Sequence, residues 1–128
     1  MKKAMFLLKR KSSITHEQFR EHYESIHVAL AHKHLRHVMD GYRRSYVQNI
    51  HGITNGDAGS EKPSFDYDCI TEMWFRTDAD FDEWMRLAKD PVIGGEFVAD
   101  EHNFLNREEF VMTICDEVAS DRSDLQIV

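Results

Sequence analysis

The sequence predicts an α+β domain in which one antiparallel sheet carries its helices on a single face. Three observations favour this fold class. Short runs rich in β-branched and aromatic residues alternate with segments whose apolar residues recur every three or four positions. These segments follow one another in the order β-α-β-β-α-β. The chain has 128 residues, which is enough for one hydrophobic core and leaves no room for a second domain.

The first half of the chain predicts a strand, a long helix and a second strand. Residues 4–9 form an apolar run beside basic residues, which indicates a buried strand. Thr15 and Gln18 have the spacing of a capping box, so a helix begins there and runs to about His34. The predicted apolar stripe of this helix is Phe19, Tyr23, Ile26, His27 and Leu30. Residues 42–50 have the β-branched and aromatic content of the second strand.

The second half predicts a loop, a strand, a helix, one short helical turn, a strand and a polar tail. Glycines and a proline mark the loop, and Gly94-Gly95 separates the helix from the short turn. The expected bounds, in that order, are 51–64, 66–75, Thr77 to Pro91, 98–105, 109–115 and 116–128.

This element order is the split arrangement of a ferredoxin-like fold, in which one face of the sheet is left without helices. The third strand is predicted to turn one set of side chains to the helices and the other set to the open face. The first set is Tyr67, Cys69, Thr71, Met73 and Phe75, and the second is Asp68, Ile70, Glu72 and Trp74. Because the second set mixes carboxylates with large apolar groups, it suits neither open water nor a dry core. We therefore expect a homodimer whose sheets face each other, with 1–118 as a single domain and 119–128 as a flexible tail.

The charge balance excludes several classes of function. With 16 basic and 23 acidic residues the formal net charge is −7, which provides no electrostatic footprint for nucleic acid or anionic lipid. The apolar stretch at the N-terminus is too short for a signal peptide, and no run approaches the length of a membrane span. Two cysteines make neither a disulfide framework nor a zinc site. The expectation is a cytoplasmic protein.

The residue with the clearest chemical potential is His27, on the apolar face of the first helix. Two interpretations are open: a core histidine whose hydrogen bonds are satisfied, or a general acid/base. Asp68 and Glu72 lie on one strand face, about 13 Å apart along the strand. Either could orient a histidine, or both could simply point to solvent.

Other polar residues give weaker signals. His34 and His37 are spaced like a metal-ligand pair, but histidines at a solvated helix end fit better and we expect no metal. Tyr46 lies on the second strand, where it forms either a pocket wall or ordinary sheet-surface packing. His102 precedes the last strand and either lines a site or is exposed.

The chain resembles the EthD family of dimeric α+β barrels. The resemblance rests on five segments whose order and spacing run through most of the chain. They are 7–11, 15–20, 22–27, 67–75 and 100–105.

The resemblance implies a homodimer with a cavity between the sheets and helices and no metal or organic cofactor. It also implies that His27 is the family's helix histidine, that Glu72 is its strand acid, and that Asp68 belongs to the pair opening that strand. Many members have tryptophan where this chain has Tyr23.

Three functions follow as hypotheses. The first is a cofactor-independent lyase, decarboxylase or isomerase that acts on a small cyclic, aromatic or polyketide-like substrate. Its catalytic residues would be His27, Glu72 and Asp68, and its substrate-binding residues Phe6, Tyr23, Tyr46, Trp74 and His102. The second is an accessory protein that binds a hydrophobic metabolite without changing it. The third is a haem- or quinol-type monooxygenase.

Overall fold

The structure, a computed structural model, describes residues 2–50 and 64–125. The predicted loop at 51–64 therefore lies outside the described residues, except for Ser64. The strands are β1 (Lys2–Leu8), β2 (Gly41–Tyr46), β3 (Cys69–Trp74) and β4 (Val111–Asp116). The helices are α1 (His16–His22), α2 (Val28–Leu35), α3 (Asp78–Lys89) and α4 (Ile93–Phe104), together with a π-helical turn at Tyr23–His27 and 3₁₀ turns at Arg36–Val38 and Arg122–Leu125.

The strands form one antiparallel sheet in the order β2-β3-β1-β4. This topology confirms the predicted ferredoxin-like fold class. The strand limits differ slightly from the prediction, because β2 ends at Tyr46 rather than at residue 50 and β3 begins at Cys69 rather than at residue 66. The alternation predicted for β3 is confirmed, since Cys69, Thr71 and Met73 are buried against the helices.

The predicted first helix contains a feature that its periodicity did not reveal. The helix begins as expected, with the complete capping box of Thr15 and Gln18. In the π-helical turn, however, the N–H of Val28 bonds to the carbonyl of Tyr23, five residues back instead of four. The extra residue rotates the helix surface, so that Ile26 is 47% exposed and does not join the predicted stripe.

The second departure is α4, a twelve-residue helix where the sequence predicted one short turn. Gly94 and Gly95 do not interrupt it, because they lie in its first turn. There the Asp90 carboxylate accepts hydrogen bonds from the N–H groups of Val92 and Ile93, both at 2.9 Å. A Cβ atom on Gly94 would lie 2.4 Å from the Ala88 carbonyl oxygen, so glycine permits the close approach of α4 to α3.

The core lies between the sheet and the helices in two clusters. One is centred on Phe75 and Trp84 beneath α3, and the other on Phe19, Tyr23 and Phe104 beneath α1 and α4. None of the helices in 2–50 and 64–125 combines the length and apolar character needed to cross a bilayer.

Candidate active site

A cavity of about 220 Å³ lies between the inner face of the sheet and the helices. Most of its wall is aliphatic or aromatic, with contributions from all four strands, the π-helical turn, α2, α3 and α4. Small groups of polar side chains are set into this apolar wall, as is typical of ligand sites. They are Tyr23, His27, Tyr42, Thr71 and Glu101.

His27 is held in the cavity wall by Asp100 of α4. Its Nδ1 lies 2.9 Å from Asp100 Oδ2, and both side chains are about nine-tenths buried. An ionised carboxylate can only accept, so Nδ1 carries the proton and donates it to Asp100. The other ring nitrogen, Nε2, bonds to none of the described residues, and in the neutral imidazole this is the nitrogen that carries the lone pair. The rings of Phe97 and Phe104 lie 5.5 and 4.9 Å from the imidazole and fix its plane.

Asp100 has further hydrogen-bond donors that fix its orientation. His22 Nε2 lies 2.8 Å from Oδ1, and Asn103 Nδ2 donates to the same oxygen at 3.3 Å. Burial alone would raise the pKa of Asp100, but the hydrogen bonds from the two histidines and Asn103 outweigh it and lower the pKa. The carboxylate therefore stays ionised at neutral pH.

The π-helical turn explains how two histidines reach one carboxylate. Five residues of regular α-helix would separate His22 and His27 by roughly 140° around the axis. The wider turn closes this angle and directs both rings towards α4, where Asp100 lies between them. π-helical turns occur often at functional sites.

The sheet side of the cavity carries a chain of three hydroxyl groups. Tyr42 donates to the Tyr23 hydroxyl at 3.0 Å, and Tyr23 lies 2.7 Å from Thr71 Oγ1. Burial raises the pKa of Tyr42 to about 12 and that of Tyr23 well above its usual value. Both phenols therefore remain protonated at neutral pH.

Glu101 lies on the cavity wall beside Asp100 in the chain. Its Oε1 accepts a hydrogen bond from Arg107 Nε at 3.1 Å. The carboxylate is thus paired with a cation near the connection between α4 and β4.

Asp68 and Glu72 do not meet His27, which corrects the expectation that one of them orients it. The Oδ2 atom of Asp68 accepts from the Arg10 N–H at 2.7 Å, and its Oδ1 lies 2.7 Å from His16 Nδ1. Asp68 therefore braces the connection between β1 and α1, next to a polar cleft of about 650 Å³ that is separate from the cavity.

Glu72 and Trp74 lie on the outer face of the sheet, because β3 alternates its side chains between the two faces. Glu72 forms an ion pair with Lys3 at 2.7 Å. Trp74 donates its indole N–H to Glu117 at 2.7 Å, and the Arg43 guanidinium lies 5.5 Å from its ring. Neither residue lines the cavity.

Of the five predicted substrate-binding residues, Phe6 and Tyr23 line the cavity beside His27. Tyr46 does not, although its ring contacts Phe19 and Tyr23 in the core, and its hydroxyl donates to Glu24 at 2.5 Å. His102 is exposed on α4 and points away from the cavity that Glu101 lines.

Sequence reasoning missed Asp100, together with His22 and Asn103, which hold its carboxylate. Asp100 lies 73 residues from His27, and the prediction of a single short turn hid its place on a helix. The available signal was its spacing from Phe97 and Phe104, three residues before it and four after. A carboxylate on such an apolar helix stripe indicates a buried partner.

The histidines at the end of the first helical segment do not form a metal centre in the described part of the chain. His34 Nε2 lies 2.6 Å from Glu96 Oε2 and pairs with that single carboxylate. Within 2–50 and 64–125, no three histidine, cysteine or acidic side chains are placed to hold an ion.

Solved structures with the same fold cover nearly all of the chain. An EthD-family protein from Bacillus halodurans matches with a TM-score of 0.61 at 19% identity, covering 92% of this chain and 99% of that one. A protein from Arabidopsis thaliana matches with a TM-score of 0.58 at 14% identity, covering 94% and 99%. A dimeric ferredoxin-like protein from an uncultured marine organism matches with a TM-score of 0.55 at 13% identity, covering 94% and 98%.

Sequence comparison assigns the family. No curated protein matches the chain significantly. The model of the EthD domain matches residues 11–108, a range that includes His22, His27 and Asp100. Because this match spans well over half of the 128 residues, the chain belongs to the EthD family.

Proposed function

We propose that this protein is a cytoplasmic, cofactor-independent enzyme that performs acid–base chemistry on a small cyclic, aromatic or polyketide-like substrate. The reaction is a lyase or decarboxylase step, or an isomerisation. One observation carries the proposal: the imidazole of His27 is oriented by a buried, ionised Asp100 and has its second nitrogen free in the wall of an apolar cavity.

His27 acts as the base and then as the acid. Its Nε2 lone pair removes a proton from substrate carbon or oxygen, and the resulting imidazolium returns that proton at another position. Asp100 holds the tautomer that leaves Nε2 unprotonated and stabilises the positive charge that forms on the ring. His22 and Asn103 keep the carboxylate in place during both steps.

The cavity limits the size of the substrate. A volume of about 220 Å³ is below the 300–1,000 Å³ typical of sites for drug-sized ligands, so it fits a molecule of one or two rings. The aromatic side chains of Phe6, Trp84 and Phe97 line it and favour a flat, apolar ligand.

We also propose that the protein is a homodimer in which the outer faces of two sheets meet. The apolar side chains of Met5, Leu7 and Ile70 lie on this face, where no helix of the described chain covers them. The structural match from the marine organism is a dimeric protein. Native mass spectrometry tests the proposal: we expect a mass of about twice 15.1 kDa, and a monomer at micromolar concentration would contradict it.

The catalytic proposal is tested with a panel of cyclic ketones, lactones and hydroxybenzoic acids in deuterated buffer. Deuterium uptake is followed by NMR and loss of CO₂ by mass spectrometry. We expect wild-type protein to convert or exchange at least one compound, and His27→Ala to lose at least a hundredfold in rate.

His102→Ala is the matched control, because this exposed histidine lies outside the cavity and its loss should leave the rate unchanged. Circular dichroism distinguishes a lost base from a lost fold. Tight binding of a ring compound with neither exchange nor product would instead favour an accessory protein that binds a hydrophobic metabolite.

A further inference from the structure

The hydroxyl chain of Tyr42, Tyr23 and Thr71 is a second polar element of the cavity that the His27–Asp100 pair does not use. All three residues line the cavity, with oxygen separations of 3.0 and 2.7 Å. Thr71 is 1% and Tyr23 2% exposed, so this end of the chain is shielded from bulk water.

Hydroxyl groups can reverse the direction of such a chain, because each one donates and accepts. In the direction observed, Tyr42 donates to Tyr23. In the opposite direction Thr71 donates to Tyr23, Tyr23 donates to Tyr42, and the proton of Tyr42 becomes available to a ligand. Hydrogen bonds aligned in this way strengthen one another in a medium of low dielectric constant.

We propose that Tyr42 is a catalytic residue that donates a hydrogen bond to a substrate oxygen as that oxygen becomes negatively charged, and that Tyr23 and Thr71 are positioning residues behind it. The inference rests on the proposed function, because the charge arises when His27 removes a proton. It narrows the substrate to one whose reacting carbon is attached to a carbonyl group.

The step balances without an oxidant or a co-reactant. The C–H bond beside the carbonyl breaks, and its proton bonds to His27 Nε2. The electron pair moves into the new C=C bond, and the C=O π electrons move to the oxygen, which accepts the Tyr42 hydrogen bond. When the substrate also carries a C=C bond conjugated with this enolate, His27 returns the proton to the far end of that bond while the C=O bond re-forms, which completes an isomerisation and restores the neutral base.

Tyr23 lies between the base and the proposed donor. Its ring centroid is 5.6 Å from that of His27, and its hydroxyl contacts Tyr42. Tyr23 thus links the two groups, and both of them line the same cavity, as the proposed step requires.

Arg44 brings a positive charge close to Tyr42. The Arg44 guanidinium lies 4.7 Å from the centre of the Tyr42 ring, and it lowers a pKa that burial raises. Glu24 pairs with Arg44 at 2.7 Å and offsets part of this positive charge, while the Cys69 thiol facing the same region is neutral because burial raises its pKa to about 12. Since the tyrosine keeps its proton, it acts as a neutral donor, like the donors of an oxyanion hole.

The experiment uses 4-nitrophenol, whose phenol and phenolate forms absorb at different wavelengths, as a stable mimic of the anionic intermediate. In the wild-type cavity the phenol proton should pass to His27, and the phenolate oxygen should accept the Tyr42 hydrogen bond. We expect the bound probe to show the phenolate spectrum, and Tyr42→Phe to weaken its binding about ten- to a hundredfold, the range for a hydrogen bond to a charged group.

Two further variants separate the possible outcomes. Tyr67→Phe removes the same hydroxyl from a tyrosine outside the cavity and should bind the probe like wild type. Tyr23→Phe interrupts the chain and should give a smaller loss than Tyr42→Phe. Equal affinity and an unchanged phenolate spectrum in Tyr42→Phe would overturn the inference, as would wild-type protein that binds only neutral phenol or none.

Failure of the inference remains distinguishable from failure of the proposed function. If Tyr42→Phe retains the wild-type phenolate complex while His27→Ala loses deuterium exchange, the inference is wrong and the acid–base proposal stands. If His27→Ala retains the exchange, the proposed function itself fails.

Discussion

Charged side chains are paired in different ways on the two faces of the sheet. On the inner face, neutral hydroxyls, one oriented histidine and Glu101, which is paired with Arg107, line an apolar cavity, and the Asp100 charge is enclosed by three hydrogen-bond donors. On the outer face, Glu72 and Glu117 share the ammonium of Lys3 at 2.7 and 3.0 Å.

Neighbouring residues of one strand belong to these different environments. Thr71 ends the hydroxyl chain inside, whereas Glu72, the next residue, forms an ion pair outside. A carboxylate in β3 is therefore not evidence for catalysis until its face is known. The acid that serves the base comes from α4, on the opposite wall of the cavity.

The largest expected effect is on the catalytic rate, and it comes from replacing one acid on each face of the sheet by its amide. Asp100→Asn should lower the catalytic rate at least a hundredfold, because the amide no longer stabilises the imidazolium and can favour the wrong tautomer of His27. Glu72→Gln should change the rate less than threefold, since Glu72 lies outside the cavity. Steady-state kinetics on the best substrate of the panel compare them, and similar losses in both variants would contradict the separation of the two faces.

The next effect tests how closely α4 covers the inner face. Gly94→Ala should lower the free energy of unfolding by about 1–3 kcal/mol, because its Cβ would meet the backbone oxygen of Ala88. Gly95→Ala has open space around the new atom and should raise stability by about 0.5–1 kcal/mol. Urea denaturation measures both, and a Gly94→Ala variant as stable as wild type would show that the α3–α4 contact is loose.

A third substitution tests the outer face as the dimer contact. Leu7→Lys places a charge opposite Ile70 and Val111 and should weaken the dimer at least tenfold. Val118→Lys, at a position 91% exposed, is the control. Analytical ultracentrifugation over a concentration series gives the two dissociation constants. Identical values would place the dimer contact elsewhere.

The smallest effect concerns acid stability. Because the folded-state pKa of Asp100 is lowered from its ordinary value of 3.8, its contribution to stability is complete above that value and is lost as the pH falls through the folded-state pKa. Wild-type protein should therefore lose more unfolding free energy than Asp100→Asn between pH 5 and about pH 2. If the unfolding free energies of the two proteins fell in parallel with pH, Asp100 would not be a source of acid sensitivity.

Local sequence signals predicted the fold and part of the site. The Thr15 capping box and the alternation of β3 depend on residues close in the chain, and both are present. Phe6 on β1 and His27 in the π-helical turn both line the cavity, and apolar spacing indicated the inward-facing side of both segments.

The remainder depends on contacts that no local pattern contains. The His27–Asp100 hydrogen bond joins distant segments, and the Gly94-Gly95 pair resembled an interruption although Asp90 supports the helix start there. The outer position of Trp74 follows from the same alternation that predicted the faces. The predicted substrate-binding role of Trp74 assumed a pocket on the outer face of the sheet. The cavity that His27 lines is on the inner face.

The π-helical turn has a consequence for sequence alignment. The buried positions before it, Phe19 and Tyr23, and those after it, Val28 and Ala31, share one side only because the turn contains an additional residue. A relative whose helix is a regular α-helix must be aligned with a one-residue gap between these two pairs. An ungapped alignment pairs the exposed Ile26 with a buried position, and pairs the buried Val28 and Ala31 with positions on another side of the helix.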